Sequence, residues 1–195
     1  RRQRQMCIRD SQDIGFKIGP LINSAGRMDK ANDVVELFLT QDDDKIDNII
    51  DKMNSHNLTR KRIEQENLDL VDTKRYKNKN VIFIFNKEFH EGIIGIIAAK
   101  LSQMFNKPCF VVTESQNLLK CSIRSKNNIK INKTISKLIE NKLIISGGGH
   151  DEAGGFSAKK ERLSDLEEFI NKEFDKLSIK DYFYFDTFTI FPKQN

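Results

Sequence analysis

Residues 81–113 carry the pattern that most narrows the fold: VIFIF at 81–85, GIIGIIAAKLSQMF at 92–105, and CFVVT at 109–113 after Pro108. Two short runs rich in β-branched and aromatic residues flank one longer apolar segment, which reads as strand, buried helix, strand. Two strands joined through a helix are parallel, with a right-handed crossover. The alternation continues: LLKCSIRS reads as a third strand, INKTISKLIENK as a helix and GGFSA as a fourth strand. LSDLEEFINKEFDKL closes the series as an amphipathic helix capped by Ser164. An α/β domain is therefore predicted over residues 79–178.

Upstream, GFKIGPLINSAGRMD is rich in Gly, Pro, Asn and Ser and reads as an irregular loop. Asp29 is the predicted cap of KANDVVELFLT, in which Val34, Val35, Leu37 and Phe38 form a buried stripe. From Asp42 to about Tyr76 there is no Gly or Pro, and Ile46, Ile49, Ile50, Met53, Leu58, Ile63, Leu68 and Leu70 recur helically among charges. This predicts one long, solvent-flanked helix, a connector between two lobes at residues 42–78. The tail YFYFDTFTIF alternates and reads as the start of a β domain at residues 179–195.

Net charge is weak evidence for a partner. The chain carries +5, but RRQRQMCIRD alone supplies four arginines against one aspartate, and without it the balance is +2. MCIRDS also resembles the translation of a transposon-end sequencing adapter, so residues 1–11 are set aside from the fold as a non-native segment. A more local imbalance survives: from Gln116 to Lys142 there are seven basic residues and one acidic one, which predicts a positive face suited to a polyanion. No stretch approaches the roughly 18 apolar residues of a membrane span, and no secretory signal is visible. The three cysteines are irregularly spaced, which does not make a disulfide framework, and Cys109 reads as a small buried hydrophobe. A reducing, cytoplasmic setting is expected, with no membrane partner.

Four islands carry candidate chemistry. SGGGHDEAGGFSA at 146–158 places Gly147, Gly148 and Gly149 before His150. Glycine is costly to order, so the run is either a tight strand-to-strand connection or a nest of backbone N–H groups open to an anion. FHEGIIG sets His90 and Glu91 at the end of the first strand, with Gly92 opening a helix. Ligands gather at such strand ends, although a lone histidine there also caps helices. CSIRS points Ser122 and Arg124 to one strand face, where hydroxyl and guanidinium can grip a phosphate or simply meet solvent. NSAGR places Arg27 beside a small-residue turn.

In order and spacing, IGPLINSAGRM, HEGIIGIIAAKL, CSIRS and GGGHDEAGGFS resemble the RecJ-type single-strand-specific DNA exonucleases of the DHH phosphoesterase superfamily, over roughly residues 13–178. The resemblance implies an α/β fold in which a mixed-sheet DHH-associated domain follows the connector helix. Residues 12–41 would end the catalytic lobe, and residues 179–195 would begin an OB-like β domain. It also implies 5′-to-3′ release of mononucleotides from single-stranded DNA in repair and recombination, with Mn2+ or Mg2+ as cofactor. By similarity Arg27, Ser122 and Arg124 hold the 5′-terminal phosphate, while Gly147, Gly148, Gly149 and His150 approach the scissile one. A monomer is implied, with a single-strand-binding protein and a helicase as partners.

Two departures are sterically mild: Cys121 stands where a smaller residue such as glycine is usual, and Gly155 where alanine is common. A third is larger. The chain contains no Asp-His-His, and His56, His90 and His150 lie far apart, so the metal ligands are expected in a lobe preceding Ser11. The alternatives are an oligoribonuclease or cyclic-dinucleotide phosphodiesterase of the same superfamily, and a nucleic-acid-binding module without catalysis.

Overall fold

The computed structural model describes residues 13–28, 32–126 and 129–176. The chain divides into two compact units, Arg1–Val71 and Asp72–Asn195. The arginine-rich opening, the Asp29 cap and the aromatic tail lie outside the described residues.

In the first unit the expected irregular loop is helical. A π-helical turn at Ile14–Ile18 leads into α1 (Gly19–Met28). Pro20 sits in the first turn, where a missing N–H is tolerated, and Ser24 Oγ donates to the Leu21 carbonyl at 2.6 Å. Ala25 is buried with Ile49 and Met53, and Leu21 and Ile22 pack against them. Packing of this small apolar stripe outweighs a composition that favours loops. α2 (Asn32–Leu39) buries only part of its predicted stripe. Val34 and Leu37 join the Ala25 cluster, while Val35 and Phe38 are exposed, because two small helices can cover only one side of a third.

α3 (Asp43–Asp69) opens under the Asp42 carboxylate, which accepts from Lys45 N–H at 3.2 Å. Its interior is tied by an Arg60–Glu64 pair at 2.8 Å, largely shielded from solvent. The helix stops at Asp69, earlier than its Gly- and Pro-free sequence predicts. Asp72 accepts from Lys74 N–H at 3.1 Å and starts a separate 3-10 turn at Thr73–Tyr76. A short polar side chain that offers the backbone such a bond competes with helix continuation.

The second unit is a five-stranded mixed sheet in the order β1-β2-β3-β5-β4. The strands are β1 (Ile82–Phe85), β2 (Cys109–Ser115), β3 (Leu118–Arg124), β4 (Ser146–Gly149) and β5 (Ala153–Lys159). β1 and β2 pair in parallel around α4 (Ile94–Phe105), as the strand-helix-strand pattern requires. The other pairs are antiparallel. α4 packs on β2 and β3. The opposite face holds the main core, where Phe83, Phe110, Val112, Leu119, Cys121, Ile123 and Phe156 meet α5 (Ile131–Glu140) and α6 (Leu163–Asp175). Phe110 and Phe174 meet edge to face at 5.7 Å. Lys137 on α5 donates to Glu173 on α6, and that bond holds the Glu173 carboxyl below its ordinary range. Ser164 does not cap α6: a 3-10 turn at Lys160–Arg162 precedes the helix, and Ser164 falls inside its first turn.

Cys109 and Cys121 are both buried, and burial pushes both thiols well above their ordinary value. Held as neutral thiols, they lack the reactive thiolate. Neither residue is expected to be alkylated by iodoacetamide in the native protein at pH 8, and both are expected to react after unfolding. Peptide mass spectrometry checks this, and labelling of either in the native state would contradict the packing described above.

Candidate nucleic-acid interface

β3 alternates cleanly. Leu119, Cys121 and Ile123 enter the core, and Lys120, Ser122 and Arg124 face the α4 side. Arg124 Nη1 donates to Ser122 Oγ at 3.3 Å and to the Ile123 carbonyl at 2.8 Å. The hydroxyl and guanidinium thus stand together, as two-residue spacing on a strand dictates. The first turn of α4 lies against the same pair: a methyl group added at Gly95 would sit 3.2 Å from Ser122 Oγ and 3.5 Å from Arg124 Nη2. Gly95 was not legible as a site residue in the sequence. The available signal was its cost, since glycine inside a helix loses about 1 kcal/mol against alanine and so calls for a packing reason.

The glycine run is neither a nest nor a loop. Ser146–Gly149 forms the edge strand β4, and no described glycine has a positive φ. Close packing is the reason for most of its bareness. A Cβ at Gly147 would lie 2.9 Å from Phe156 Cβ and 3.1 Å from Ile135 Cγ2. At Gly149 it would lie 2.3 Å from the Ala153 carbonyl oxygen. Gly155 is similar, with the Cys121 carbonyl oxygen 2.8 Å from an added Cβ, so the glycine there, expected to be a sterically mild departure, is a tight fit in this chain. Gly148 differs. Nothing lies within 4 Å of its added Cβ.

Register sets these residues in rows across the sheet. Ser122 pairs with Gly155, which pairs with Gly148. Arg124 pairs with Ala153, whose carbonyl accepts from His150 N–H at 2.7 Å. At about 4.8 Å per strand, His150 stands roughly 10 Å across the sheet from Arg124. Its turn is clamped from two sides: Ser125 N–H donates to the Glu152 carbonyl at 2.8 Å and Ile131 N–H to the Asp151 carbonyl at 3.0 Å. His150 itself is exposed. The result is a strip with hydroxyl and guanidinium at one side, a floor without side chains at Gly155 and Gly148, and an imidazole at the end of the edge strand.

His90 and Glu91 are exposed. His90 Nδ1 accepts from Gly92 N–H at 3.1 Å, so the neutral ring carries its proton on Nε2. Gly92 lies in this turn rather than opening the helix, which starts at Ile94. Thr113 Oγ1 donates to the Phe89 carbonyl at 2.7 Å and fixes the turn beside β2. Arg27 lies on α1 in the other unit.

The predicted single positive face is divided by the sheet. Lys120 and Arg124 lie on the α4 side, whereas α5, which carries Lys133 and Lys137, packs on the other side. Sequence distance hid this because β3 and α5 belong to different layers. Among the described residues no group of three or more His, Cys, Asp or Glu could hold a metal ion, and no helix is long and apolar enough to cross a membrane.

The DHHA1 domain model matches residues 78–176, half of the chain. RecJ from Haemophilus influenzae, a single-stranded-DNA-specific exonuclease, is 28% identical over 173 residues, covering 83% of this chain and 30% of that protein. RecJ from Bacillus subtilis is 24% identical over 169 residues, covering 84% of this chain and 21% of that protein. Among solved structures, RecJ from Thermus thermophilus in complex with Mn2+ superposes with a TM-score of 0.77 at 23% identity, covering 85% of this chain and 25% of that one. The chain thus spans less than a third of the length of these relatives. With the matched segment coinciding with the five-stranded sheet and its helices, the chain belongs to the DHHA1 domain family, in the form that RecJ exonucleases carry.

Proposed function

We propose that this chain supplies the phosphate-binding part of a cytoplasmic single-stranded-DNA-specific exonuclease that works 5′ to 3′. The observation that carries the reading is the adjacency of Ser122 and Arg124 beside a strip with no side chain at Gly155 and Gly148. A guanidinium and a hydroxyl side by side offer charge-assisted hydrogen bonds to one phosphate, and a bare floor lets a sugar–phosphate backbone lie close to the sheet. His150 would meet the next phosphodiester across the strip.

Solved RecJ structures hold Mn2+ or Mg2+. The described residues of this chain offer no set of donors that fits such an ion, so in this reading the metal is held by residues other than these. The chain's own part is to bind and orient the strand.

Binding of a fluorescent 5′-phosphorylated oligothymidylate tests the reading. The logarithm of affinity is expected to fall linearly with the logarithm of salt concentration. Three phosphate contacts would give a slope of about −2. An affinity that does not change between 50 and 200 mM salt, on the order of the range over which counterion release is pronounced, would overturn it.

A further inference from the structure

We propose that Lys120 and Ser157 form a second anion subsite, which holds the phosphate adjacent to the one at Ser122 and Arg124. The inference rests on the reading of that pair as a phosphate site and extends it: the strip recognises two linked phosphates of a nucleic-acid strand rather than an isolated one.

Lys120 shares the α4-side face of β3 with Ser122 and Arg124. A two-residue step along a strand is about 6.6 Å, comparable to the step between neighbouring phosphates on a stretched strand. Ser157 is the cross-strand partner of Lys120, and Lys120 Nζ lies 3.1 Å from Ser157 Oγ. The ammonium is therefore held over the sheet rather than extended into solvent. An ammonium has three donors, and this contact uses one. Among the described residues no carboxylate neutralises it, whereas Lys137 is paired with Glu173 and Lys160 with Glu114. Ser146, exposed on the edge strand, pairs with Ser157 and brings a further hydroxyl into the same row. The Lys120 row thus sets a cation beside two hydroxyl groups, one step along β3 from the Ser122 row with its bare Gly155 and Gly148. The Phe89 carbonyl is held by Thr113, the partner of Lys120 on β2, so the His90 turn borders this row.

The test is a titration of this chain with two probes, thymidine 5′-monophosphate and the 5′-phosphorylated thymidine dinucleotide, followed by heteronuclear NMR. Lys120→Gln is expected to weaken the dinucleotide about tenfold, the loss of one charge-assisted contact, and to leave the mononucleotide within twofold, roughly the scatter of neutral surface changes. Lys120→Arg retains the cation and is expected to keep most of the dinucleotide affinity. Ser157→Ala should shift the dinucleotide in the same direction by less. With a longer oligothymidylate, Lys120→Gln should make the salt slope shallower by about 0.7. Equal loss on both probes, or no loss on either, overturns the subsite, with circular dichroism confirming that each variant is folded. If the unsubstituted chain binds neither probe nor the oligothymidylate, the proposed function fails with it, so the two failures are told apart.

Discussion

The Arg124→Ala chain is expected to bind 5′-phosphorylated single-stranded DNA about ten- to a hundredfold more weakly than the unsubstituted chain. A hydrogen bond to a charged group contributes about 1.5–3 kcal/mol, and each 1.4 kcal/mol or so is tenfold in affinity. Lysine at this position should recover only part of the loss, because it keeps the charge without the planar fork that matches two phosphate oxygens. The same substitution should cost much less on a strand ending in a 5′-hydroxyl, which lacks the group being held. Stability should hardly change: the internal bonds of Arg124 to Ser122 Oγ and to the Ile123 carbonyl lie on a partly solvated strand face, where such bonds contribute little. Fluorescence anisotropy with the two end groups, beside a thermal melt, separates a specific pocket from a generic basic surface. Equal losses on both ends with an unchanged melt would mean that Arg124 is only one cation among several.

The sequence carried the second unit further than the first, for a physical reason. β1, α4, β2 and β3 are each governed by one strong period, so VIFIF, CFVVT and LLKCSIRS could be read directly and their order implied the sheet. The juxtaposition of Ser122 and Arg124 followed from the two-residue repeat alone. What failed was whatever depends on partners remote in sequence. α1 is helical because Ala25 meets Ile49 and Met53, and nothing in GPLINSAGRM announces that encounter. β4 was hidden by its glycines, which have low strand propensity, yet it pairs along its full length with β5. The apparent positive segment was split because a strand and the helix that follows it were placed on opposite sides of one sheet. The resemblance to RecJ pointed to GGGHDEAGGFS, but it could not say which of its glycines are demanded by packing and which are not.

That distinction is measurable, because neighbouring glycines of one strand should fail in opposite ways. At Gly149 an added Cβ would meet the Ala153 carbonyl oxygen at 2.3 Å and Gly154 Cα at 2.5 Å. Both are backbone atoms, and the turn cannot slide away from the clash, since Ser125 and Ile131 hold its carbonyls. Gly149→Ala is therefore expected to cost about 3 kcal/mol, the upper range for overpacking. With roughly 4–8 °C per kcal/mol for a domain of this size, its melting temperature should fall by about 12–24 °C. At Gly148, by contrast, an added Cβ meets nothing within 4 Å, and alanine loses less backbone entropy than glycine by roughly 0.5–1 kcal/mol. Gly148→Ala should leave the melt unchanged or raise it slightly. Its methyl group would project into the strip beside Gly155, where the sugar–phosphate backbone is proposed to lie, and binding of single-stranded DNA should drop by about tenfold, a loss of 1.4 kcal/mol or so. Differential scanning fluorimetry and anisotropy on the two variants read both effects. Normal DNA binding by Gly148→Ala would show that the strand does not pass over the glycine floor, and the bareness of β4 would then be a matter of packing alone.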